Sequence, residues 1–292
     1  MRTLSRFACI GEAMVEFSFD RDQPRFGFAG DALNTAVYLR RFASREHEID
    51  FVSVVGVDPL SERMLNFIDA EGVSTRHVAR HPDKLPGLYA ISTDVEGERS
   101  FYFWRENSAA RTLFHDGFNV LDNFDVIFLS AITLAILPSD IRSRLLDWLE
   151  GWDGTIVFDS NYRPRLWEST ETARNTVSRA WERADIGLPS LDDEMKLFED
   201  HGETEVLERL RSFGLKHGVL KRGARGPLSL SGQQFRRADF PVAEKVVDTT
   251  AAGDSFNGGY LAALYSGATQ REAMIAGHNL AVEVIRKTGA IV

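Results

Sequence analysis

Short, continuously apolar segments alternate with helical segments through the second half of this chain, and that alternation most constrains its fold. The apolar segments cover residues 126–129, 155–158, 186–188 and 218–221. The helical segments cover 139–149, 169–180, a stretch from 191, a stretch from 205, 256–265 and 271–286. Because these strands show no polar alternation, we expect them to be buried on both faces of a parallel sheet covered by helices. The sequence therefore predicts an α/β fold with a mostly parallel central sheet.

The first half of the chain follows a different pattern. The predicted elements are a strand over 7–19, a helix over 31–42, a strand over 51–56, a helix over 60–71, and a hairpin of 85–93 and 99–104 around 94–97. The hairpin interrupts the alternation of strands and helices. We therefore expect it to form a small β-sheet appendage together with part of the first strand.

Composition excludes several classes of protein. The 292 residues carry a net charge of −9, which argues against a nucleic-acid-binding protein. The single cysteine, Cys9, lies in an apolar segment and is expected to be a core residue of a protein in a reducing compartment. Acidic residues interrupt the N-terminal apolar run, and no apolar segment reaches the ~18–20 residues that span a bilayer. A cytoplasmic protein without a membrane partner is expected.

Residues 247–256 form the most specific motif, Val-Asp-Thr-Thr-Ala-Ala-Gly-Asp-Ser-Phe. The pattern predicts a short apolar strand, a turn of small residues and then a helix. Backbone N–H groups at such a helix start favour an anion, and Asp254 beside them suits the removal of a proton from an attacking hydroxyl. The position at a helix N-terminus predicts that Asp254 is a weak base. The structural alternative is a helix start at which Asp254 is only a cap.

This run resembles the C-terminal motif D-T-x-x-A-G-D of the ribokinase-like (PfkB) sugar kinases. The resemblance implies a single ribokinase-like domain over 1–292, a three-layer sandwich with a small β-sheet lid formed from about 12–28 and 86–105. It implies that Asp254 is the catalytic base and that the amides of Ala251, Ala252 and Gly253 form the anion hole. It also places Asp248 and Thr250 near the phosphates of ATP, which binds with Mg²⁺, and near a monovalent cation, K⁺, in many members. The chain lacks a Walker-type phosphate loop, G-x-x-x-x-G-K-[ST].

Three candidate ligand-binding positions, one glycine and two polar residues, lie just before or within the first turn of the helix over 31–42. Gly30 permits close approach of a ligand, while Asp31 and Asn34 offer polar atoms. Helix capping is the alternative role for both side chains. Family members carry G-G-x-x-x-N here, a motif that holds sugar hydroxyls, and in this chain Ala29 replaces the first glycine of that motif.

Four segments together resemble the 2-keto-3-deoxygluconate kinases within this family: G-D-x-L-N-T, L-P-G-L-Y, F-Y-x-W-R and D-x-N-Y-R-P-R-L-W. The resemblance implies that Arg105 and Arg163 hold a sugar-acid carboxylate and that Tyr89 and Phe103 line the sugar. Phe103 stands where relatives often have tyrosine. We expect the two guanidinium groups to be buried without protein partners, so that an anion belongs between them. The alternatives are a surface Arg105 packed on a tryptophan and a plain loop around Arg163.

The nucleotide side carries weaker signals. A basic glycine loop, 221–226, resembles the family's G-x-x-G loop over the ATP phosphates. Glu194 matches the family's N-x-x-E motif, which organises water around magnesium, but Leu191 replaces its asparagine; a solvated helix residue is the alternative. The resulting cofactor-binding set is Asn161, Arg163, Lys221, Gly223, Gly226, Gly253 and Asn279. The histidines show no spacing typical of zinc sites.

The sequence thus predicts an ATP-dependent kinase that phosphorylates the terminal hydroxyl of 2-keto-3-deoxygluconate. A fructokinase or nucleoside kinase of the same family is one alternative, and a non-catalytic sugar-acid sensor is another. An exposed edge of the lid sheet also predicts a homo-oligomer that pairs through that edge.

Overall fold

The computed structural model describes residues 5–20, 23–93, 99–233, 235–236 and 239–292. The strands are β1 (Arg6–Ile10), β2 (Met14–Asp20), β3 (Gln23–Ala29), β4 (Glu48–Gly56), β5 (Val78–His81), β6 (Gly87–Thr93), β7 (Arg99–Trp104), β8 (Val126–Ser130), β9 (Thr155–Asp159), β10 (Ile186–Gly187), β11 (Val219–Leu220) and β12 (Leu228–Ser229). The α-helices are α1 (Asp31–Phe42), α2 (Pro59–Ala70), α3 (Ala131–Ile136), α4 (Ser139–Glu150), α5 (Thr170–Arg183), α6 (Leu191–Phe198), α7 (Glu203–Ser212), α8 (Ala252–Tyr265) and α9 (Gln270–Val284).

Six strands form the central sheet in the order β10-β9-β8-β1-β4-β5, and every pairing is parallel. The register sets Cys9 opposite Phe51 on one side and Phe128 on the other, and all three are fully buried. Hydrophobic clusters cover both faces of the sheet. The predicted α/β fold with a parallel central sheet is therefore confirmed, and the reason is that these strands bury both faces.

A second, four-stranded sheet has the order β3-β2-β6-β7. Its two faces differ because side chains alternate along each strand. Tyr89 pairs with Phe103 and shares one face with it, whereas Tyr102 and Trp104 project from the opposite, exposed face. Tyr102 is therefore directed away from the face that Tyr89 and Phe103 share. The turn predicted at 94–97 lies outside the described residues.

The predicted single strand over 7–19 is wrong, because the chain leaves the central sheet after Ile10 and enters the small sheet at Met14. Gly11 marks the break, since a Cβ there would lie 2.6 Å from the Cβ of Ala32 in α1. The apolar pattern continues across the break because both sheets bury this part of the chain. Periodicity alone therefore did not reveal the change of sheet.

Two other predicted strands also differ. Only β11 forms within 218–221; it pairs antiparallel with β12 and contacts the central sheet through isolated bridges. The apolar strand predicted before the turn at 249–251 does not form, and Val247 is exposed. The N–H groups of Val247 and Asp248 instead donate to the Ile285 carbonyl at the end of α9.

Among the described residues, no helix combines the length and apolar character needed to cross a membrane.

Candidate active site

The start of α8 is built around a turn of small residues. Ala251 has a φ of 58°, in the left-handed region that costs a side chain energy, and α8 begins at the next residue without a side-chain cap. The Ala252 N–H donates to the Thr249 carbonyl at 3.2 Å. Helix geometry leaves the N–H groups of Gly253 and Asp254 without intrahelical acceptors. Within the predicted trio, the N–H of Gly253 therefore lacks an intrahelical acceptor, whereas that of Ala252 is engaged.

Asp254 faces helix α1 rather than capping its own helix. Its Oδ2 accepts a 2.8 Å hydrogen bond from the Asn34 side-chain amide, and its carbonyl accepts a 3.4 Å hydrogen bond from the Thr35 hydroxyl. The two helices approach closely because Gly258 has no side chain; a Cβ there would lie 2.8 Å from the Leu39 nitrogen. This packing brings Asn34 and Asp254, which belong to two separate motifs of the sequence, into contact.

The environment makes Asp254 a stronger base than expected. Burial raises the pKa of Asp254 to about 7, with further contributions from the negative charges of Asp31 and Asp159. The hydrogen bond from Asn34 and the charge of Lys221 act in the opposite direction. The expectation of a weak base is therefore wrong, because burial and like charges outweigh the favourable helix N-terminus.

Asp31 does not cap α1; Gly30 occupies the N-cap position, and its N–H donates to the Asn34 side-chain oxygen at 3.3 Å. The Asp31 carboxylate instead accepts hydrogen bonds from the Ser130 hydroxyl at the end of β8 and from the Asn161 amide, at 3.0 Å, just after β9. Three segments distant in sequence thus meet at the carboxyl edge of the central sheet. Ligands of open α/β sheets bind at this edge.

A buried polar network lies beside this cluster. The Lys221 ammonium donates to Asp159 Oδ2 at 2.9 Å and to Asn257 Oδ1 at 3.1 Å, and the Asn257 amide donates to the same Asp159 oxygen at 2.6 Å. A Cβ on Gly253 would lie 3.6 Å from the Lys221 ammonium, so this cation reaches the start of α8. Sequence reasoning singled out Lys221 and Gly253 but missed Ser130, Asp159 and Asn257, although Asp159 ends a buried strand where such residues are expected.

The two arginines predicted to hold a carboxylate, Arg105 and Arg163, each pair with a carboxylate of the protein. Arg105 is 7% exposed and forms an ion pair with Glu12, which is 1% exposed. The Arg163 side chain is 53% exposed and lies 3.3 Å from Asp193. The expectation of two unpaired, buried guanidinium groups is therefore wrong. The alternative of a surface Arg105 on a tryptophan is wrong as well, because burial of this side chain is nearly complete.

Tyr89 and Phe103 lie side by side on one face of the small sheet, with ring centroids 5.7 Å apart. The Tyr89 hydroxyl donates to Glu16 on the neighbouring strand β2. Met14, Ala29, Tyr89 and Ile91 form a cluster with Ala290, and Ala251 packs against it. The same face of the small sheet therefore contacts the turn that precedes Asp254.

The remaining nucleotide candidates lie in separate places. Gly223 and Gly226 both have positive φ angles, 54° and 78°, in the short turn after β11. Asn279 is exposed on α9, and its neighbour His278 is buried with Nε2 2.7 Å from the Pro241 carbonyl. The Asp248 carboxylate accepts hydrogen bonds from the N–H groups of Thr250 and Gly289 and so ties the 248–250 turn to the C-terminal segment.

Glu194 is fully buried, so the solvated alternative is wrong. Its Oε1 accepts a hydrogen bond from the Trp181 indole at 3.2 Å, and its Oε2 pairs with Arg209 at 3.0 Å. Burial raises the pKa of Glu194 to about 7. These partners do not fit the predicted role toward magnesium-bound water. Within the described ranges, no cluster of three acidic, histidine or cysteine side chains could hold a metal ion.

Comparison with known proteins gives consistent results. A family model described as "pfkB family carbohydrate kinase" matches residues 5–292. The chain is 41% identical over 304 residues to a 2-dehydro-3-deoxygluconokinase of Dickeya dadantii strain 3937, with 99% of this chain and 97% of that protein covered. It is 40% identical over 301 residues to a protein of the same name from Escherichia coli strain K12, with 98% and 97% covered.

The fold is similar to that of solved kinases. A crystal structure of fructokinase from Vibrio cholerae O395, bound to fructose, ADP and calcium ion, superimposes with a TM-score of 0.84 at 25% identity over 99% of this chain and 95% of that one. The family match covers residues 5–292, nearly all of the chain. The chain therefore belongs to the pfkB family of carbohydrate kinases.

Proposed function

We propose that this protein transfers the γ-phosphoryl group of ATP to the terminal 6-hydroxyl of 2-keto-3-deoxy-D-gluconate and releases 2-keto-3-deoxy-6-phosphogluconate and ADP. This sugar acid is the 2-dehydro-3-deoxygluconate of the relatives' names. The observation that carries the proposal is the Asp254 carboxylate, held by Asn34 at the first turn of α8 with a pKa raised to about 7. The names of the two relatives at about 40% identity support the substrate.

Arg105 and Arg163 are proposed to bind the carboxylate at one end of the sugar acid. Arg105 uses one nitrogen for Glu12, and a guanidinium carries five N–H donors, so donors remain for a ligand. Arg163 is partly exposed and can exchange Asp193 for the ligand carboxylate. Gly30, Asp31, Asn34, Tyr89 and Phe103 are proposed to line the rest of the sugar. Anchoring the acid end restricts the position of the far hydroxyl, which converts binding energy into orientation.

Asp254 is proposed to accept the proton of the 6-hydroxyl as its oxygen forms the new bond to the γ-phosphorus and the bond to ADP breaks. A carboxylate with a pKa near the working pH suits this step. The N–H groups of Gly253 and Asp254 at the helix start, with that of Ala251 in the same turn, are proposed to stabilise the charge on the transferred group, whereas the Ala252 N–H donates to the Thr249 carbonyl. Lys221 lies near Gly253 and adds a positive charge on the same side.

The nucleotide is proposed to lie over Lys221, Gly223 and Gly226, with Asn161 toward the phosphates and Asn279 toward the base. Arg163, which the sequence also offered for the phosphates, is assigned to the carboxylate of the sugar acid. Magnesium is proposed to arrive with ATP, because Mg²⁺ in kinases is held mainly by phosphates and water with one or two carboxylates. When bound, it neutralises phosphate charge. Glu194 is withdrawn from this role, since Trp181 and Arg209 occupy its oxygens.

A coupled ADP-release assay with 2-keto-3-deoxygluconate, fructose, ribose and adenosine tests the proposal. We expect turnover confined to the keto-deoxy acid, and we expect Arg105→Ala and Arg163→Ala each to raise KM for that acid strongly. If fructose or ribose is phosphorylated and Arg105→Ala does not change that rate, the role of Asp254 would stand, but the proposed binding of a carboxylate by the two arginines would be overturned. Binding of the acid without ADP release would indicate the sensor.

Three further expectations belong to the same proposal. Activation by K⁺ near Asp248 and Thr250 is tested by replacing potassium with lithium in the assay. Pairing of two copies through the edge of the small sheet, which would act as a lid, is tested by sedimentation of the wild-type chain. A cytoplasmic location is tested by fractionation of cells that produce the protein.

A further inference from the structure

We propose that Glu12 is a positioning residue that holds the Arg105 guanidinium in place for the substrate carboxylate. This inference rests on the proposed function, because it assigns Glu12 a role in the clamp that Arg105 is proposed to form. Glu12 was not among the residues singled out by the sequence. It is a buried acid in the short connection between β1 and β2, where the chain passes from the central sheet to the small sheet.

The position of Glu12 is closely determined by two glycines. A Cβ on Gly30 would lie 2.0 Å from the Glu12 carbonyl oxygen, and a Cβ on Gly87 would lie 2.5 Å from Glu12 Oε1. Either side chain would displace Glu12. Gly30 follows β3, and Gly87 is the first residue of β6. Both glycines lie where the chain enters or leaves the small sheet, so the connections between the two sheets enclose the Glu12 carboxylate. The surrounding backbone therefore fixes Glu12 before any ligand binds.

Arg105 follows the end of β7 and returns the chain toward the main body. Its Nη2 donates to Glu12 Oε2, while Arg105 Nε and Glu12 Oε1 are both buried without a hydrogen-bond partner. A pair that served stability alone would be expected to make two parallel hydrogen bonds and leave neither atom unsatisfied. The single hydrogen bond orients the guanidinium, while Arg105 Nε and Glu12 Oε1 remain without hydrogen-bond partners. Placement of Arg105 therefore explains the pair better than stability does.

Charge supports the same division of roles. Glu12 and Arg105 together are neutral, so Glu12 weakens the simple attraction of Arg105 for an anion. Its contribution to substrate use must then come through geometry, since a displacement of about 1 Å at an anchoring group costs on the order of 100-fold in rate. Arg163, whose partner Asp193 lies outside this enclosed region at the start of α6, supplies the second positive charge.

The test is a double-mutant cycle of Glu12→Gln and Arg105→Ala in the full-length protein, assayed for ADP release with 2-keto-3-deoxygluconate. We expect Glu12→Gln to lower kcat/KM for the acid by roughly 10- to 100-fold, while KM for ATP changes by less than about twofold. In the Arg105→Ala background the same substitution should cause no further loss, because its effect passes through Arg105. Glu12→Asp, which keeps the charge and retracts the carboxylate by one methylene, should give an intermediate loss and provides the test if Glu12→Gln does not fold.

Asp50→Asn is the matched control, because Asp50 is equally buried, pairs with Arg76 and lies outside the site. It should lower the melting temperature without changing KM for the acid. Wild-type kinetics with Glu12→Gln and Glu12→Asp, or a loss that adds in full to that of Arg105→Ala, would overturn the role of Glu12 alone. An unchanged KM in Arg105→Ala would overturn the clamp and Glu12 with it. Absence of wild-type turnover on the acid would overturn the proposed function itself.

Discussion

The side-chain amide of Asn34 donates a 2.8 Å hydrogen bond to Oδ2 of Asp254, a residue 220 positions further along the chain. The contact joins the first turn of α1 to the first turn of α8. It orients one edge of the carboxylate, whose other oxygen is the proposed acceptor of the substrate hydroxyl proton. The proposed sugar-binding residue and the proposed proton acceptor are thereby held in a fixed relation.

Replacement of Asp254 by asparagine should remove the proton acceptor and keep the shape of the side chain. We expect kcat to fall by at least ~100-fold, the scale of general-base removal, with little change in binding of the sugar acid. Steady-state ADP release and calorimetric titration measure the two quantities. Asp116→Asn, at an exposed carboxylate, is the control and should behave as wild type. Near-normal turnover in Asp254→Asn would refute the assignment.

The pH dependence of turnover should report the raised pKa of Asp254, about 7. The base acts only when deprotonated, so kcat/KM should fall about tenfold per pH unit below that pKa and level off above it. The charge of Asp31 raises the pKa of Asp254, so Asp31→Asn should move this acid limb to lower pH, whatever its effect on the maximal rate. If the acid limb instead reflects protonation of the nucleotide, its midpoint would be the same in Asp31→Asn as in the wild type. That result would contradict the assignment of the limb to Asp254.

Replacement of Lys221 by methionine should damage both stability and activity, for separable reasons. It leaves the buried Asp159 carboxylate without its cation, which should lower the free energy of unfolding by about 3–5 kcal/mol. It also removes the positive charge near Gly253, so KM for ATP should rise and kcat should fall. Denaturant unfolding and kinetics measure the two effects. The double variant Lys221→Met/Asp159→Asn should regain part of the stability and none of the turnover; recovery of both would make Lys221 purely structural.

Substitution of Gly30 by alanine tests the enclosure of Glu12. The added Cβ would lie 2.0 Å from the Glu12 carbonyl oxygen, a backbone atom that cannot rotate away. We expect a loss of about 1–3 kcal/mol in the free energy of unfolding, as for other overpacked sites, and a higher KM for the sugar acid. Gly202→Ala is the control, because no atom lies within 4 Å of that added Cβ. Equal stability of the two variants would show that the connection relaxes easily.

Much of the site could be predicted from local motifs. Asp254, Asn34, Asp31, Asn161 and Lys221 were all singled out, and the structure brings them to one edge of the sheet. Each lies near the end of a strand or the start of a helix, and open α/β sheets bind their ligands beyond the carboxyl ends of the strands. Their local sequence thus carried enough information to identify them.

Partners were harder to predict than positions. Glu12, Asp193 and Asp159 neutralise Arg105, Arg163 and Lys221, and none of the three was selected from the sequence. An ion pair depends on which distant segments fold against each other, and a single sequence does not record that choice. The sequence likewise does not show which groups surround a side chain in the fold. The base strength predicted for Asp254 and the solvated environment considered for Glu194 were wrong for that reason.

The sequence by itself determined the parallel α/β architecture, the small second sheet and the choice of Asp254 as the proposed proton acceptor, because hydrophobic periodicity and turn chemistry are local properties. Tertiary structure decided where the chain leaves the central sheet at Gly11, which carboxylates face Asp254 and how Arg105 is held. Those features depend on burial and on charges brought together from distant segments, and both arise only when the chain is packed.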